Sequence, residues 1–242
     1  MIGACPLAVK GFSLKNTRNS LTDQSSRILR DWQNRPFKVR KTLFNVNILN
    51  MKLLLASGSP YRKSLLERLH LTFDQSSPDI DESPLHNESP HQLVIRLARQ
   101  KAQTLAPQHP NTLIIASDQA ADLNGTILGK PNTEANAIEQ LTLCSGQKVT
   151  FHTSLCLLNT RTNHFQIEDI EFNVWFRTLN QQQITHYIKE ERPLDCAGSF
   201  KCEGLGIALF ERMSGDDPNS LIGLPLISLV SMLNNEGVNV LG

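Results

Sequence analysis

Five ionisable side chains have the chemical types that hydrolysis of a polyphosphate requires. Asp118 follows the apolar run TLIIAS, and Glu82 lies in the acidic segment PDIDESP. Lys101 in RQKAQ and Lys130 in GKP supply positive charge, and so does Lys201 in SFKCEGLG. A carboxylate can take a proton from water, and cations offset the charge on a phosphate under attack. Together with a phosphate-binding segment, these groups suit metal-assisted attack on a polyphosphate.

The segment LLLASGSPYRK supplies a candidate phosphate-binding turn. Three leucines predict a short buried strand, and Pro60 is well placed to open a helix, because the first helical N–H has no partner within the helix. The start of a helix offers free N–H groups and the positive end of the helix dipole. The hydroxyls of Ser57 and Ser59 and the cations of Arg62 and Lys63 lie on the same turn. It is not a Walker A loop, because the four-residue spacer and the Gly-Lys-Ser/Thr ending are missing.

Each of these features also has an ordinary structural explanation. The turn can be a capped helix with surface cations, and Asp118 can cap a turn. The residues around Glu82 can form a solvated acidic loop, and the segment Gly129 to Pro131 can be a surface turn. Combination and order, rather than any single motif, therefore carry the functional interpretation.

The pattern of apolar residues predicts the elements that position these groups. Strands and helices alternate, with a long antiparallel component, which indicates an α/β fold around one mixed sheet. Asp118 is predicted to follow directly after a strand, and Asn124-Gly125 to form a hairpin turn. Strands are expected at 53–56, 112–117, 149–158 and 170–177, and helices at 60–69, 90–105, 133–143, 178–190 and 225–233.

Composition narrows the class of protein. The 242 residues contain no apolar run near the ~18 residues that span a bilayer, so we expect a soluble, cytoplasmic protein without a membrane partner. The five cysteines are odd in number and contain no CxxC pair, which argues against a disulfide framework and a structural zinc site. The seven histidines show no paired spacing and are interpreted as structural or surface residues.

Charge divides the chain in two. Residues 1–50 hold nine Lys/Arg and two Asp, a net charge of +7, whereas residues 51–242 hold fifteen Lys/Arg and twenty-one Asp/Glu, a net charge of −6. The acidic body argues against nucleic-acid binding. We expect residues 1–50 to be a disordered basic extension or the product of an upstream start codon, with Met51 as the native start; a transit peptide is a further alternative.

Taken together, the motifs resemble the Maf family (septum formation inhibitor-like) of nucleoside triphosphate pyrophosphatases. The resemblance covers essentially all of residues 51–242. It rests on LLLASGSPYRKSLLE, PDIDESP, LARQKA, IIASDQ, GKPNT, FHTSL, CAGSFKCEGLG and GDDPNSLIGLPL in this order. It implies an elongated mixed α/β sheet with a deep central cleft, a divalent metal (Mg²⁺ or Mn²⁺), and hydrolysis between the α- and β-phosphates. A homodimer is also compatible with the family.

The resemblance also implies a role for each matching residue. Asp118 matches the general base, with Glu82, Lys101 and Lys130 as further polar residues of the catalytic cleft. Asp118 and Glu82 are the implied metal ligands. The triphosphate is expected to bind at the turn, and the residues expected there are Ser57, Ser59, Arg62 and Lys63.

Three positions resemble the 7-methyl-GTP pyrophosphatase subgroup of the family: Tyr61, Gln119 and Glu203. An aromatic ring stacks well on the positive charge that N7-methylation places on guanine, and Glu203 can accept from the guanine N1–H and amine. Tyr61 stands where the subgroup has Trp, and Lys63 replaces a more usual Arg, so we expect lower affinity without loss of activity.

Three alternatives stay open from sequence. The first is the same chemistry on dTTP, UTP or a range of modified nucleotides. The second is a nucleotide-binding regulator of cell division, against which the intact ionisable groups argue. The third is a nucleic-acid binder that depends on residues 1–50.

Overall fold

The structure is a computed structural model that describes residues 51–242; the expectations for residues 1–50 lie outside this range. Seven strands form one sheet: β1 Lys52–Ala56, β2 Asp74–Ser76, β3 Thr112–Leu123, β4 Thr126–Leu128, β5 Lys148–Asn159, β6 His164–Phe176 and β7 Phe210–Gly215. The helices are α1 Pro60–Glu67, α2 Pro90–Leu105, α3 Glu134–Cys144, α4 Gln181–Glu191, α5 Pro218–Ile222 and α6 Leu226–Asn235. Three short 3-10 turns lie at Ala106–Gln108, Ala197–Ser199 and Leu205–Leu209.

The sheet is mixed, which confirms the predicted fold class. Its strand order is β2-β1-β3-β5-β6-β7, and β4 pairs with β3. Strand β1 runs parallel to β2 and β3, whereas the pairs from β3 through β7 are antiparallel. The parallel half is built from strand–helix–strand units, and the antiparallel half from hairpins and longer returns.

The ends of β1 and β4 leave part of β3 unpaired on one edge. Strand β1 pairs with β3 as far as Leu55↔Ile115, and β4 pairs with it from Ala121↔Leu128 onward. Among the described strands, the segment 117–120 therefore has β5 on one side and no strand on the other. Backbone groups that face this gap are free to contact a ligand.

The expectation that Asp118 follows the end of a strand is wrong. It lies in the middle of the 12-residue strand β3 and pairs with Ser154 of β5. The strand continues because β5 accompanies it as far as Asp122↔Thr150. Strand β1, the other neighbour of β3, ends near Asp118. The carboxylate therefore still lies at the carboxyl end of the parallel half of the sheet.

Local signals in the sequence position the helices as expected. Ser59 caps α1, and Ser89 caps α2 in a capping box with Gln92. Thr133 caps α3. The hairpin turn is confirmed, because β3 and β4 pair at Leu123↔Thr126 with only Asn124 and Gly125 between them.

Apolar side chains bury both faces of the sheet. One cluster packs α1 and α6 on β1, β3 and β5, and a second packs α2 on the opposite face. A third, containing Phe151, Phe176, Phe200 and Phe210, lies under α3 and α4. In the described part of the chain, no helix has the length and apolar character needed to cross a membrane.

Candidate active site

A cavity of about 570 Å³ opens at the unpaired edge of β3. It brings together ten of the eleven residues predicted for the site, which come from widely separated segments. These are Ser57, Ser59, Tyr61, Arg62, Glu82, Lys101, Asp118, Gln119, Lys130 and Glu203. The remaining residue, Lys63, is not part of the lining.

A buried lysine joins the two candidate catalytic carboxylates. Lys101 Nζ lies 2.5 Å from Asp118 Oδ1 and 2.6 Å from Glu82 Oε1. Helix α2 provides Lys101 and packs across β3 and β5, where Ser154 Oγ donates to the Val94 carbonyl. A buried ammonium requires such partners, since an unpaired charge would be costly to desolvate. The two carboxylates therefore compensate the cost of burying Lys101.

The loop that carries Glu82 is held to α2 by a bidentate ion pair between Glu88 and Arg96. Arg96 Nε and Nη2 donate to the two oxygens of Glu88 at 2.6 and 2.7 Å, and Nη2 also donates to the Ser83 carbonyl. Bidentate pairs of this kind fix geometry as well as adding energy. The loop is thereby positioned with Glu82 against Lys101.

Glu82 is held in its ionised form. Burial raises the pKa of Glu82, but the hydrogen bond and charge of Lys101, with the charges of Lys130 and Arg62, outweigh this effect. The net result is a pKa below the usual range of a glutamate. The same three cations are placed to attract a phosphate chain.

Arg62 is fixed by the turn that precedes α1 and by the segment after α5. The Ser59 hydroxyl accepts from the Arg62 backbone N–H at 3.3 Å, which caps the helix. The guanidinium donates to the Gly223 carbonyl at 2.8 Å and to Ser57 Oγ at 3.4 Å. Burial lowers the pKa of Arg62, while Asp118 and Glu82 oppose this effect. A guanidinium keeps its charge under these conditions, so it remains available to a phosphate.

Lys63 lies away from this cavity. Its ammonium is half-exposed and lies 4.0 Å from Glu67 in the same helix. Successive residues of a helix point about 100° apart, so Tyr61 and Lys63 lie on opposite sides of Arg62. The structure therefore brings Tyr61 and Arg62 to the cavity without Lys63.

The residues proposed for base recognition lie in the same cavity. Tyr61 Oη donates to Asp195 Oδ2 at 3.4 Å. Burial is the main cause of the strongly raised pKa of Tyr61, with Cys196 and Asp195 adding to it. The phenol therefore stays neutral and can act as a stacking surface with a fixed hydroxyl.

Glu203 lies on a loop that is tied to α4. The Tyr187 hydroxyl accepts from the Lys201 backbone N–H at 2.9 Å, and Lys201 Nζ donates to the Glu191 carbonyl at 3.0 Å. The Glu191 carboxylate accepts from the Leu205 N–H at 2.6 Å. These contacts explain how a glycine-containing loop can hold a carboxylate in place.

Gln119 has a structural task. Its side-chain amide donates to Thr153 Oγ1 at 3.0 Å and to the carbonyls of Ser220 and Leu221 at 2.8 and 3.2 Å. Strand β3 thereby holds the carboxyl end of α5, next to the Gly223 carbonyl that fixes Arg62. The amide nitrogen is committed to these contacts, which leaves the side-chain oxygen for a ligand.

Sequence reasoning missed Asp195, and it named Lys201 as a cation without including it among the site residues, although both line the cavity. Asp195 directly precedes the CAGSFKCEGLG motif, which is the one signal that could have found it. Cys196 and Cys202 also line the cavity. Burial is the main cause that raises the pKa of each thiol to about 12, so neither is a thiolate at neutral pH.

The oxygen donors beside Lys101 fit a hard divalent cation. Asp118 and Glu82 each contact Lys101 through one oxygen, and each carboxylate has a second oxygen with free lone pairs. Mg²⁺ is commonly bound by one or two carboxylates, with water and substrate phosphates as its other ligands. Asp118 and Glu82, which both line the cavity, provide this number of carboxylates.

Comparison with known proteins shows the family to which this chain belongs. A family model described as "Maf-like protein" matches residues 52–236, a span that contains every residue of the site. The chain belongs to the Maf family. This Maf-family chain is 54% identical over 193 residues to a 7-methyl-GTP pyrophosphatase of Aliivibrio fischeri, which covers 80% of this chain and 100% of that protein. It is also similar to the structure of the Staphylococcus aureus Ham1 protein, at 13% identity and a TM-score of 0.44, over 76% of this chain and 99% of that one.

Proposed function

We propose that this protein hydrolyses 7-methyl-GTP to 7-methyl-GMP and pyrophosphate. The observation that carries the proposal is the buried Lys101, which holds Asp118 and Glu82 together at the cavity. The relative from Aliivibrio fischeri, which matches over its whole length, supports the choice of substrate. The homodimer remains a prediction from the family resemblance, and the cytoplasmic location remains a prediction from composition.

The triphosphate would bind where positive groups converge. Arg62, Lys101 and Lys130 line this part of the cavity, and α1 directs the positive end of its dipole towards the same turn. The hydroxyls of Ser57 and Ser59 accept hydrogen bonds from the chain, and each keeps its proton to donate to a phosphate oxygen. These contacts would orient the anhydride bond towards Asp118.

Asp118 would act as the general base. One of its oxygens is held by Lys101, so the orientation of the carboxylate is fixed before substrate binds. The carboxylate takes a proton from water, the resulting hydroxide attacks the α-phosphorus, and the bond from that phosphorus to the oxygen bridging to the β-phosphate breaks. The released pyrophosphate carries the electron pair of that bond. Mg²⁺ or Mn²⁺, held by Asp118 and Glu82, would add positive charge to the phosphates.

Base selection would depend on Tyr61 and Glu203. The neutral ring of Tyr61 would stack on the cationic 7-methylguanine. Glu203 would accept from the N1–H and the amine of the base, a donor pair that thymine and uracil do not present. Gln119 would act by holding α5, and its free oxygen is the only part of its amide left for the base.

The test is pyrophosphate release by the full chain with Mg²⁺ or Mn²⁺. We expect a preference for 7-methyl-GTP over GTP, dTTP and UTP, and a loss of turnover in Asp118→Asn. Preference for dTTP or UTP would keep the chemistry and overturn the specificity. Full turnover by Asp118→Asn would overturn the general base, and no turnover on any substrate would favour a binding or regulatory protein.

Glu203→Gln separates base recognition from chemistry. The amide keeps the size of the side chain but replaces one acceptor oxygen by a donor. We expect kcat/KM for 7-methyl-GTP to fall by about 10–100-fold, since one site hydrogen bond to a charged group contributes ~1.5–3 kcal/mol. The rate on UTP serves as the control and should change little.

A further inference from the structure

Two histidines and an aspartate meet on the α2 face of the sheet, outside the cavity lining. His91 lies in the first turn of α2, His152 in β5 and Asp169 in β6. Asp169 Oδ2 lies 2.7 Å from Nδ1 of both imidazoles. One ligand atom from each residue lies within 4.8 Å of the other two, and this is the only such group of three or more in the described residues.

The carboxylate at the centre of this cluster is buried and incompletely satisfied. The side chain of Asp169 is 3% exposed, and its Oδ1 has no hydrogen-bond partner. Buried carboxylate oxygens without a partner are rare because desolvation is not compensated. The unpaired oxygen therefore points to a ligand that supplies positive charge.

The surroundings of the cluster also favour a cation. Glu171 and Asp122 lie close enough to His152 to act on its charge, and both are negative. With neutral imidazoles, Asp169, Glu171 and Asp122 give this region three negative charges. A divalent ion would offset two of them.

We propose that His91, His152 and Asp169 bind a first-row transition-metal ion of the Zn²⁺ class. Two imidazole nitrogens and one carboxylate oxygen are a ligand set that Zn²⁺ accepts, with water in a fourth position. Mg²⁺ prefers oxygen ligands alone, so this site differs in chemistry from the carboxylates beside Lys101. The side chain of His91 is 60% exposed, so it can rotate to complete the coordination at little cost.

The site would fasten the beginning of α2 to the antiparallel half of the sheet. Asp118, Ser154 and Asp169 are paired in register across β3, β5 and β6, so Asp169 lies two strands, about 10 Å, from Asp118. The same helix carries Lys101 ten residues after His91. A metal ion at this position would therefore stabilise the helix that presents the catalytic lysine. The inference does not depend on the proposed function.

The test measures metal binding by the full chain after removal of bound metal with a chelator. Co²⁺ is the spectroscopic probe, since low-symmetry coordination by nitrogen and oxygen gives visible ligand-field absorption, and Zn²⁺ affinity is measured by competition with a chromophoric chelator. We expect one equivalent to bind and millimolar Mg²⁺ not to displace it. Zn²⁺ at about 100 times its Kd should raise Tm by roughly 5–10 °C.

Substitutions locate the site. His91→Gln is the decisive variant, because an exposed side chain can be changed without loss of the fold; Zn²⁺ affinity should fall more than about 100-fold, since even residues outside a ligand set cost ~10–100-fold. Asp169→Asn should have the same effect. His186→Gln, which changes an exposed histidine of α4, and Asp118→Asn are the controls, and both variants should still bind one equivalent of Zn²⁺.

Three results would overturn the proposal. The first is a wild-type protein that binds no Co²⁺ or Zn²⁺, which would leave Asp169 as a hydrogen-bonding bridge between two imidazoles. The second is unchanged affinity in His91→Gln. The third is a Cys202→Ser variant that no longer binds the metal ion together with a His91→Gln variant that still does, which would place the metal at the thiols of the cavity.

Discussion

Removal of Lys101 should test how the site is held together. In Lys101→Met, the carboxylate of Asp118 would lose its cation while its side chain stays only 10% exposed. Breaking a buried pair in this way costs about 3–5 kcal/mol of unfolding free energy, because the remaining charge is uncompensated. Asp118→Asn should cost less, about 1–3 kcal/mol, because Lys101 keeps Glu82 at 2.6 Å.

The double variant Lys101→Met/Asp118→Asn should recover part of the loss. With both charges gone, no carboxylate is left buried without a cation, so we expect a coupling energy of about 1–3 kcal/mol. Urea unfolding of the wild type, the two single variants and the double variant gives this value. Glu82→Gln is the matched control. Its side chain is 48% exposed, so its coupling to Lys101 should stay below about 1 kcal/mol.

Two outcomes would refute this reasoning. Effects of Lys101→Met and Asp118→Asn that add within ~0.5 kcal/mol would mean that the two charges do not depend on each other. If the coupling energy of Lys101 with Glu82 exceeds its coupling energy with Asp118, the more buried ion pair is not the stronger one, and the reasoning fails.

Three further predictions concern phosphate binding, base stacking and the acidic loop. Arg62→Ala should lower kcat/KM by ~10²–10³-fold, while Lys63→Ala stays within about 2-fold in the same pyrophosphate assay, because only the first side chain reaches the cavity; equal losses would contradict this placement. Tyr61→Ala should reduce the preference for 7-methyl-GTP over GTP by roughly 2–30-fold in kcat/KM, the equivalent of a ~0.5–2 kcal/mol cation–π contact, and an unchanged ratio would exclude stacking. Glu88→Gln should lower the urea midpoint at pH 7, with Glu190→Gln as control, because Arg96 lowers the pKa of Glu88. The stabilisation from this ion pair is fully present above the pKa of about 4.3 that glutamate has in the unfolded chain, and it is lost as pH falls through the lower pKa of Glu88 in the folded protein. The difference in urea midpoint between Glu88→Gln and the wild type should therefore narrow towards pH 3. A difference that stays constant with pH would argue against the ion pair.

The local elements could be predicted from sequence because short-range chemistry determines them. The serine and threonine caps, Pro60 at the start of α1 and Asn124-Gly125 in the hairpin act within a few residues of their own position. Strand limits were less accurate. Strand β3 runs six residues past its predicted end, because pairing with β5, a contact over tens of residues, decides where it stops.

The sequence also determined which residue types the site has, through the order of its motifs. Tertiary structure decided which of them meet. From the sequence, Arg62 and Lys63 are both candidates for binding phosphate, yet helix geometry places Arg62 at the cavity and Lys63 beside Glu67. The histidines show the same limit more strongly, since no spacing rule joins His91 to His152 or either to Asp169. Only the register of β5 against β6, with α2 packed across them, brings these three side chains within bonding distance.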